Sequence, residues 1–401
     1  MSSTTRRQFL RRSSLIAMAP TIPLFLRSTA QANISSQQEH ILVVIQLDGG
    51  NDGINTVVPI ADEGYAKHRN ELRLKSDRLI KLMDEVSLHP SLKPVAELFE
   101  DGKLAIVQGV GYPNPNRSHD VSMAIWQTAR FDREDHKSFG WLGRAMDSRS
   151  DSVRNGNPDS ILLGSENPPV ALRGRRSTSV SLADLSDLQL KNDVQLTSVA
   201  NSGHDELLSF ARRATLEARA TADLIEEVGK SSAGDQSHYP ETQLASRLGS
   251  IAQLIKAGFN TPVYYAIQSG YDTHAVQLPS HSRLLRELAG VMKAFQDDLA
   301  AAGLADRVLT LCFSEFGRRV QENASLGTDH GTAGPVFVMG SKVNTGLIGT
   351  PASMTDLEDG DLKMQFDFRQ VYATILDDWL AVPPEKVLSG EFEKMALVSA
   401  G

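Results

Sequence analysis

Five nearly continuous apolar runs, set far apart, constrain this chain more than any other feature. They are ILVVIQL (41–47), LAIVQGV (104–110), PVYYAIQ (262–268), RVLTLCF (307–313) and PVFVMG (335–340). A strand with one wet face alternates apolar and polar residues, whereas these runs suit strands buried on both faces of a parallel sheet. Helical patterns fill the gaps. The clearest is SRLLRELAGVMKAFQDDLAAAG (282–303), where Leu284, Leu288, Val291, Phe295 and Leu299 share a face and Gly303 stops the helix. Further helices are expected over 206–229, 241–257 and 368–380. The alternation predicts an α/β domain over 40–400, with a central, mostly parallel sheet sandwiched by helices and ligands beyond the carboxyl ends of its strands. Residues 145–240 break the rhythm with polar stretches and are expected to form a cap or lid insertion.

The first 32 residues stand apart from the fold. TTRRQFLRRSS leads into a weakly apolar run from Leu15 to Leu26 and then AQA, the layout of a cleaved signal peptide. The run falls short of the roughly 20 residues a membrane helix needs, and Pro20 and Pro23 interrupt it, so no stable transmembrane helix is expected. Arg6 and Arg7, with Phe9 and Leu10 after them, match the twin-arginine pattern. The twin-arginine translocase is therefore an expected partner, and a periplasmic or secreted location follows. That route carries proteins already folded, often around a metal or other cofactor. The lone Cys312 permits no intramolecular disulfide. Residues 1–32 hold five arginines and no acid, so their removal takes the formal charge from -8 to -13. A chain this acidic is not expected to bind nucleic acid, whose phosphates need Lys and Arg.

Acids and histidines gather where the apolar runs end. The first run ends in Asp48, followed by Gly49 and Gly50; a carboxylate there is either a cation ligand or a turn-former, with Asp52 able to cap the next helix instead. The second leads to NRSHDVSMAIW, where Ser118 is either a plain N-cap or a nucleophile. Its neighbour His119 is either a ligand or a proton carrier, and Arg117 could steady an anion. The third leads to Asp272 and His274, which in extended backbone point to the same side and could reach one ion or simply bond to each other. The fourth ends at Glu315 with Arg318 a turn later, a pair that is either surface or functional. The last is entered through Asp329 and His330. Clustered on one sheet edge, these residues fit one or two divalent ions: Zn, Mn or Fe where imidazoles contribute, Mg or Ca where carboxylates dominate.

Across the whole mature chain, LVVIQLDGGNDGINTVVP, LHPSL, NRSHDVSMAIWQTA, FGWLGRAMD, SGYDTH, FSEFGRR, GTDHGTAGPVFVMG and FRQVYATILDDWL resemble the "domain of unknown function 1501" family. That family is similar in turn to the alkaline phosphatase and sulfatase superfamily. The resemblance implies a strand-end Asp, a nucleophile at a helix start, and two neighbouring metal sites. Two registers are open. In one, Asp329–His330 matches the superfamily's Asp-His pair. In the other, preferred because it aligns strands as well as letters, Glu315 replaces that Asp and His330 becomes the superfamily's final histidine. One site is then Asp272, His274 and His330, with Asp329 either a ligand or an orienting partner, and a thinner one is Asp48 and Glu315.

The resemblance implies an exported metallohydrolase acting on phosphate or sulfate esters, small or polymeric. Ser118 attacks in that reading, and Arg318 offsets charge in the transition state. The alternative is a non-catalytic exported binding or assembly protein that keeps the fold and at most one metal. A redox enzyme is disfavoured, since no G-x-G-x-x-G follows the first run and no cysteine cluster exists.

Overall fold

The strand at the middle of the sheet, β1 (Ile41–Asp48), buries both faces. Ile41, Val43, Ile45 and Leu47 enter one core, and Leu42 and Val44 enter a second, which is the two-residue alternation of an extended chain. The computed structural model describes residues 40–132, 134–135, 138–149, 157–183 and 238–399. The signal peptide expected over 1–32 and the helix expected over 206–229 lie outside the described residues.

The other strands of the central sheet and of the ribbon beside it are β2 (Leu104–Gly111), β3 (Ser160–Leu163), β4 (Ser179–Leu182), β5 (Val263–Ser269), β6 (Val308–Ser314), β7 (Arg318–Glu322), β8 (Thr328–His330), β9 (Gly334–Met339), β10 (Gly346–Ile348) and β11 (Phe366–Asp367). The central sheet runs in the order β10-β2-β9-β6-β1-β5-β3-β4, with β11 also beside β2. Its pairs are parallel, except that β9 is antiparallel to both β2 and β6. The five apolar runs correspond to β1, β2, β5, β6 and β9. Strands β7 and β8 form a separate antiparallel ribbon, with Arg318 opposite His330.

Helices cover both faces. Against the core of Val43 and Ile45 lie α1 (Lys93–Glu100), α4 (Gln243–Lys256) and α5 (Gln277–Ala301). Against that of Leu42 and Val44 lie α2 (His119–Thr128), α3 (Trp141–Ser148) and α6 (Phe368–Thr374). Here Trp141 stacks on Tyr372 at 4.0 Å, and Trp126 on Phe313 and Phe368 at 5.0 and 4.5 Å. Burial of each aliphatic side chain contributes about 1.5–3 kcal/mol, so the two cores fix the sheet and with it the edge where its strands end.

Two details differ from the sequence reading. Helix α5 starts at Gln277 instead of 282, because its first N–H donates to Leu326 O at 2.8 Å and gains tertiary support for an extra turn. Within the expected cap of 145–240, residues 160–163 and 179–182 form β3 and β4 and extend the main sheet beside β5. At four residues each, they are too short to show periodicity; residues 184–237 lie outside the described residues. No helix among the described residues is long and apolar enough to cross a membrane.

Candidate metal centre

Because β1, β2, β5 and β6 run parallel, their carboxyl ends share one edge of the sheet. Strand β9 runs the other way, so its amino end reaches the same edge and brings His330 there. Gly49 takes φ +116°, and a Cβ on it would stand 2.5 Å from the main-chain nitrogen of Asp272; only glycine lets the two loops approach this closely.

Arg318 binds these loops together from beneath. It is 1% exposed. Its Nε donates to Gly50 O at 2.7 Å, Nη1 to Thr328 O at 2.8 Å, and Nη2 to Gly49 O, to Tyr271 O at 2.9 Å and to Asp272 Oδ1 at 2.7 Å. A guanidinium so engaged presents no free face to a transition state. In this arrangement it holds Asp272.

Four side chains converge above it. His330 Nε2 lies 3.2 Å and His274 Nε2 3.0 Å from Asp272 Oδ1, the two Nε2 atoms are 2.8 Å apart, and His119 Nε2 is 3.4 Å from the same oxygen. His119, Asp272 and His330 each offer a ligand atom, all within 4.8 Å of one another. The far nitrogen of each ring meets an acceptor. His119 Nδ1 donates to Glu315 Oε1 at 2.8 Å, His274 Nδ1 to Asp329 Oδ1 at 3.0 Å, and His330 Nδ1 to Arg117 O at 2.7 Å.

These outer bonds decide the tautomers. A carbonyl and a carboxylate only accept, so each neutral imidazole carries its proton on Nδ1 and turns a bare Nε2 inward. Three lone pairs then face a carboxylate with no proton among them, and His119 Nε2 is buried without a hydrogen-bond partner. Such an arrangement calls for a cation, and acceptors behind each ring are the usual support of a metal-binding histidine. The residues thus fit a metal ion. Asp272 is held down to about 2: burial opposes its charge, but the hydrogen bond and the positive charge of Arg318 outweigh that. The Glu315 hydrogen bond raises His119, and the Asn323 hydrogen bond lowers Asp329.

Glu315, expected as a ligand, is instead 1% exposed. Its Oε1 accepts from Gly49 N at 3.0 Å as well as from His119, and its Oε2 lies 3.0 Å from Ser314 Oγ. Asp329 likewise sits behind His274. Asp48 accepts from Gln46 Nε2 at 3.3 Å, and burial, then Glu315, raises its pKa. Glu315 and His119 lie within electrostatic reach of Asp48, but the ligand atoms that converge among the described residues are those of His119, Asp272 and His330. Asp52 takes the capping role that competed with Asp48, accepting from Asn55 N at 3.4 Å and pairing with Arg69 at 2.7 Å. Ser118 occupies the N-cap position of α2 but makes no capping bond, and its N–H donates to Asn116 Oδ1 at 2.8 Å. Its exposed hydroxyl stays uncommitted beside His119. Sequence reasoning missed the Arg117 carbonyl and Asn323, whose Nδ2 donates to His274 O at 3.0 Å and Asp329 Oδ1 at 3.2 Å; nothing in the letters marks either.

A family model described as "Protein of unknown function (DUF1501)" matches residues 39–390, so the chain belongs to that family. No curated protein matches it. Among solved structures it is similar to the PsFucS1 sulfatase from Pseudoalteromonas sp., at 10% identity and TM-score 0.38, over 83% of this chain and 69% of that one. It is also similar to the periplasmic domain of EcEptC from Escherichia coli in complex with Zn, at 10% identity and TM-score 0.35, over 77% and 74% of the two chains. A protein in the alkaline phosphatase superfamily from Vibrio parahaemolyticus gives 10% identity and TM-score 0.34, over 85% and 74%. At these scores none of the three bears on what this chain binds or does.

Proposed function

We propose that this member of the DUF1501 family is an exported hydrolase of phosphate or sulfate esters that holds one transition-metal ion. The observation that carries the reading is the set of three Nε2 atoms and one carboxylate, from His119, His274, His330 and Asp272, with the exposed Ser118 directly before His119 and making no capping bond. A mostly imidazole donor set favours Zn, Mn or Fe over Mg or Ca. The ion would supply Lewis acidity toward an ester oxygen. Ser118 Oγ bonds to phosphorus or sulfur as the alcohol leaves with the hydroxyl proton, and water then releases phosphate or sulfate and restores the serine. His119 serves as a ligand in this reading and is not a proton carrier. The side chains of Asp272, His274 and Asp329 are each about half exposed, which leaves room for a bulky or polymeric ester. The Arg6–Arg7 signal supports export through the twin-arginine translocase to the periplasm.

Metal analysis of the exported, folded protein tests the reading together with an aryl phosphate and sulfate panel. One ion per chain is expected, kept in Ser118→Ala and lost in His330→Ala, with hydrolysis abolished in both. Absence of metal, or hydrolysis unchanged in Ser118→Ala, overturns it. A second reading, a metal-holding binding or assembly protein, draws support from the burial of Arg318, whose guanidinium is taken up by main-chain carbonyls and Asp272. One tightly held ion without turnover on any ester would select it.

A further inference from the structure

We propose that Arg117 and Arg319 form a second oxyanion subsite beside the metal centre, one that takes a sulfate or phosphate group the substrate carries in addition to the ester that is cut. The word substrate rests on the hydrolase reading; the subsite itself does not.

One carboxylate holds both guanidinium groups. Arg117 Nη2 pairs with Asp361 Oδ2, and Arg319 Nε lies 3.4 Å from Asp361 Oδ1. The Asp361 side chain is 1% exposed, whereas those of Arg117 and Arg319 are 41% and 33% exposed. The acid therefore lies behind, and the two cations face outward. One carboxylate pairs with two guanidinium groups, and the further acid within electrostatic reach is Asp359. Among the described residues no hydrogen bond reaches Arg117 Nε or Nη1, or Arg319 Nη1; Arg319 Nη2 donates to Asp359 O at 3.0 Å. Asp361 Oδ1 has no hydrogen bond either.

A purely structural pair in this protein looks different. At Asp52 and Arg69 one guanidinium meets one carboxylate with both side chains 0% exposed, and the remaining N–H groups donate to Val320 O and Arg319 O. The Arg117–Asp361–Arg319 cluster is open, doubly cationic and unfinished, which suits the planar forks of arginine to a tetrahedral oxyanion. Both arginines are tied to the metal centre through the main chain. The Arg117 carbonyl accepts from His330 Nδ1 at 2.7 Å, Ser118 follows directly, and Arg319 follows Arg318, which braces Asp272. An anion seated on the pair would thus hold an attached ester near Ser118.

The test is calorimetric binding of inorganic sulfate, and separately of phosphate, to the folded protein after chelator treatment, so that no metal contributes. Binding is expected to persist without metal and in Ser118→Ala, and to weaken about tenfold or more in the Arg117→Gln/Arg319→Gln variant, whose metal content stays normal. If that variant melts early, Arg319→Gln alone must shift affinity in the same direction. Comparison of the two probes decides between sulfate and phosphate. Loss of hydrolysis in Ser118→Ala with anion binding intact bears only on the hydrolase reading. Absence of anion binding in the metal-free protein, or equal affinity in the arginine variants, overturns the subsite.

Discussion

Replacing Glu315 by Gln separates the charge behind His119 from the shape of the site. The two side chains have the same outline. Gln keeps Oε1, so it still accepts from Gly49 N–H and His119 Nδ1, at 3.0 and 2.8 Å in the native chain. The new amide faces Ser314 Oγ, which already donates to Leu47 O at 2.7 Å and can accept in return. What disappears is a negative charge 2.8 Å from the ring, in a position 1% exposed where solvent screens it little. Losing such a partner behind a metal ligand costs about 10–100-fold in affinity, which is about 1.4–2.8 kcal/mol. Competition with a chromophoric chelator should show that loss while thermal unfolding of the metal-free protein barely moves. Asp329→Asn is the control, since its carboxylate is 58% exposed behind His274 and should change affinity only a few-fold. Equal affinity in Glu315→Gln, or a larger loss in Asp329→Asn, would refute the assignment of Glu315 as the partner of a liganding His119.

Two further outcomes follow from buried polar groups. Arg318→Met strips partners from buried carbonyls and leaves Asp272 unbraced, so calorimetry should show a loss of at least about 3 kcal/mol; a near-native melting temperature would contradict the brace. His281 and His89 are 1% and 3% exposed, and burial lowers them to about 4 and about 3. Their folded pKa values lie below the unfolded 6.5, so the unfolded chain binds more protons as pH falls from 6.5 toward 4. Stability should therefore drop across that window, by up to about 1.4 kcal/mol per pH unit for each group. Urea unfolding that is flat from pH 6.5 to 4.5 would be inconsistent with neutral buried histidines.

Much of the edge was legible because strand ends are legible. The runs ending in Asp48, Glu315 and the loop of Asp272 place themselves once the sheet is parallel, and His330 follows from the strand after it. Partners across the sheet were not legible. Glu315 meets a histidine 196 residues earlier in the chain, and no local spacing distinguishes a strand-end acid that binds metal from one that orients a ligand. The two arginines of FGRR show the same limit. Ribbon β7 alternates, so Arg318 turns inward and Arg319 outward, a register set by the pairing of Arg318 with His330. The short β3 and β4 were hidden because four residues carry no usable period.

The reversed strand β9 has a consequence for assembly. The converging groups come from residues 119, 272, 274 and 330, segments that meet only after β2, β5 and β9 have all docked in the sheet. Few partly formed chains can hold all four together, so ion capture reports completion of the whole sheet. Free ion should accordingly slow global unfolding and raise the midpoint by mass action. Under the export reading proposed above, the ion would double as a latch on the finished state.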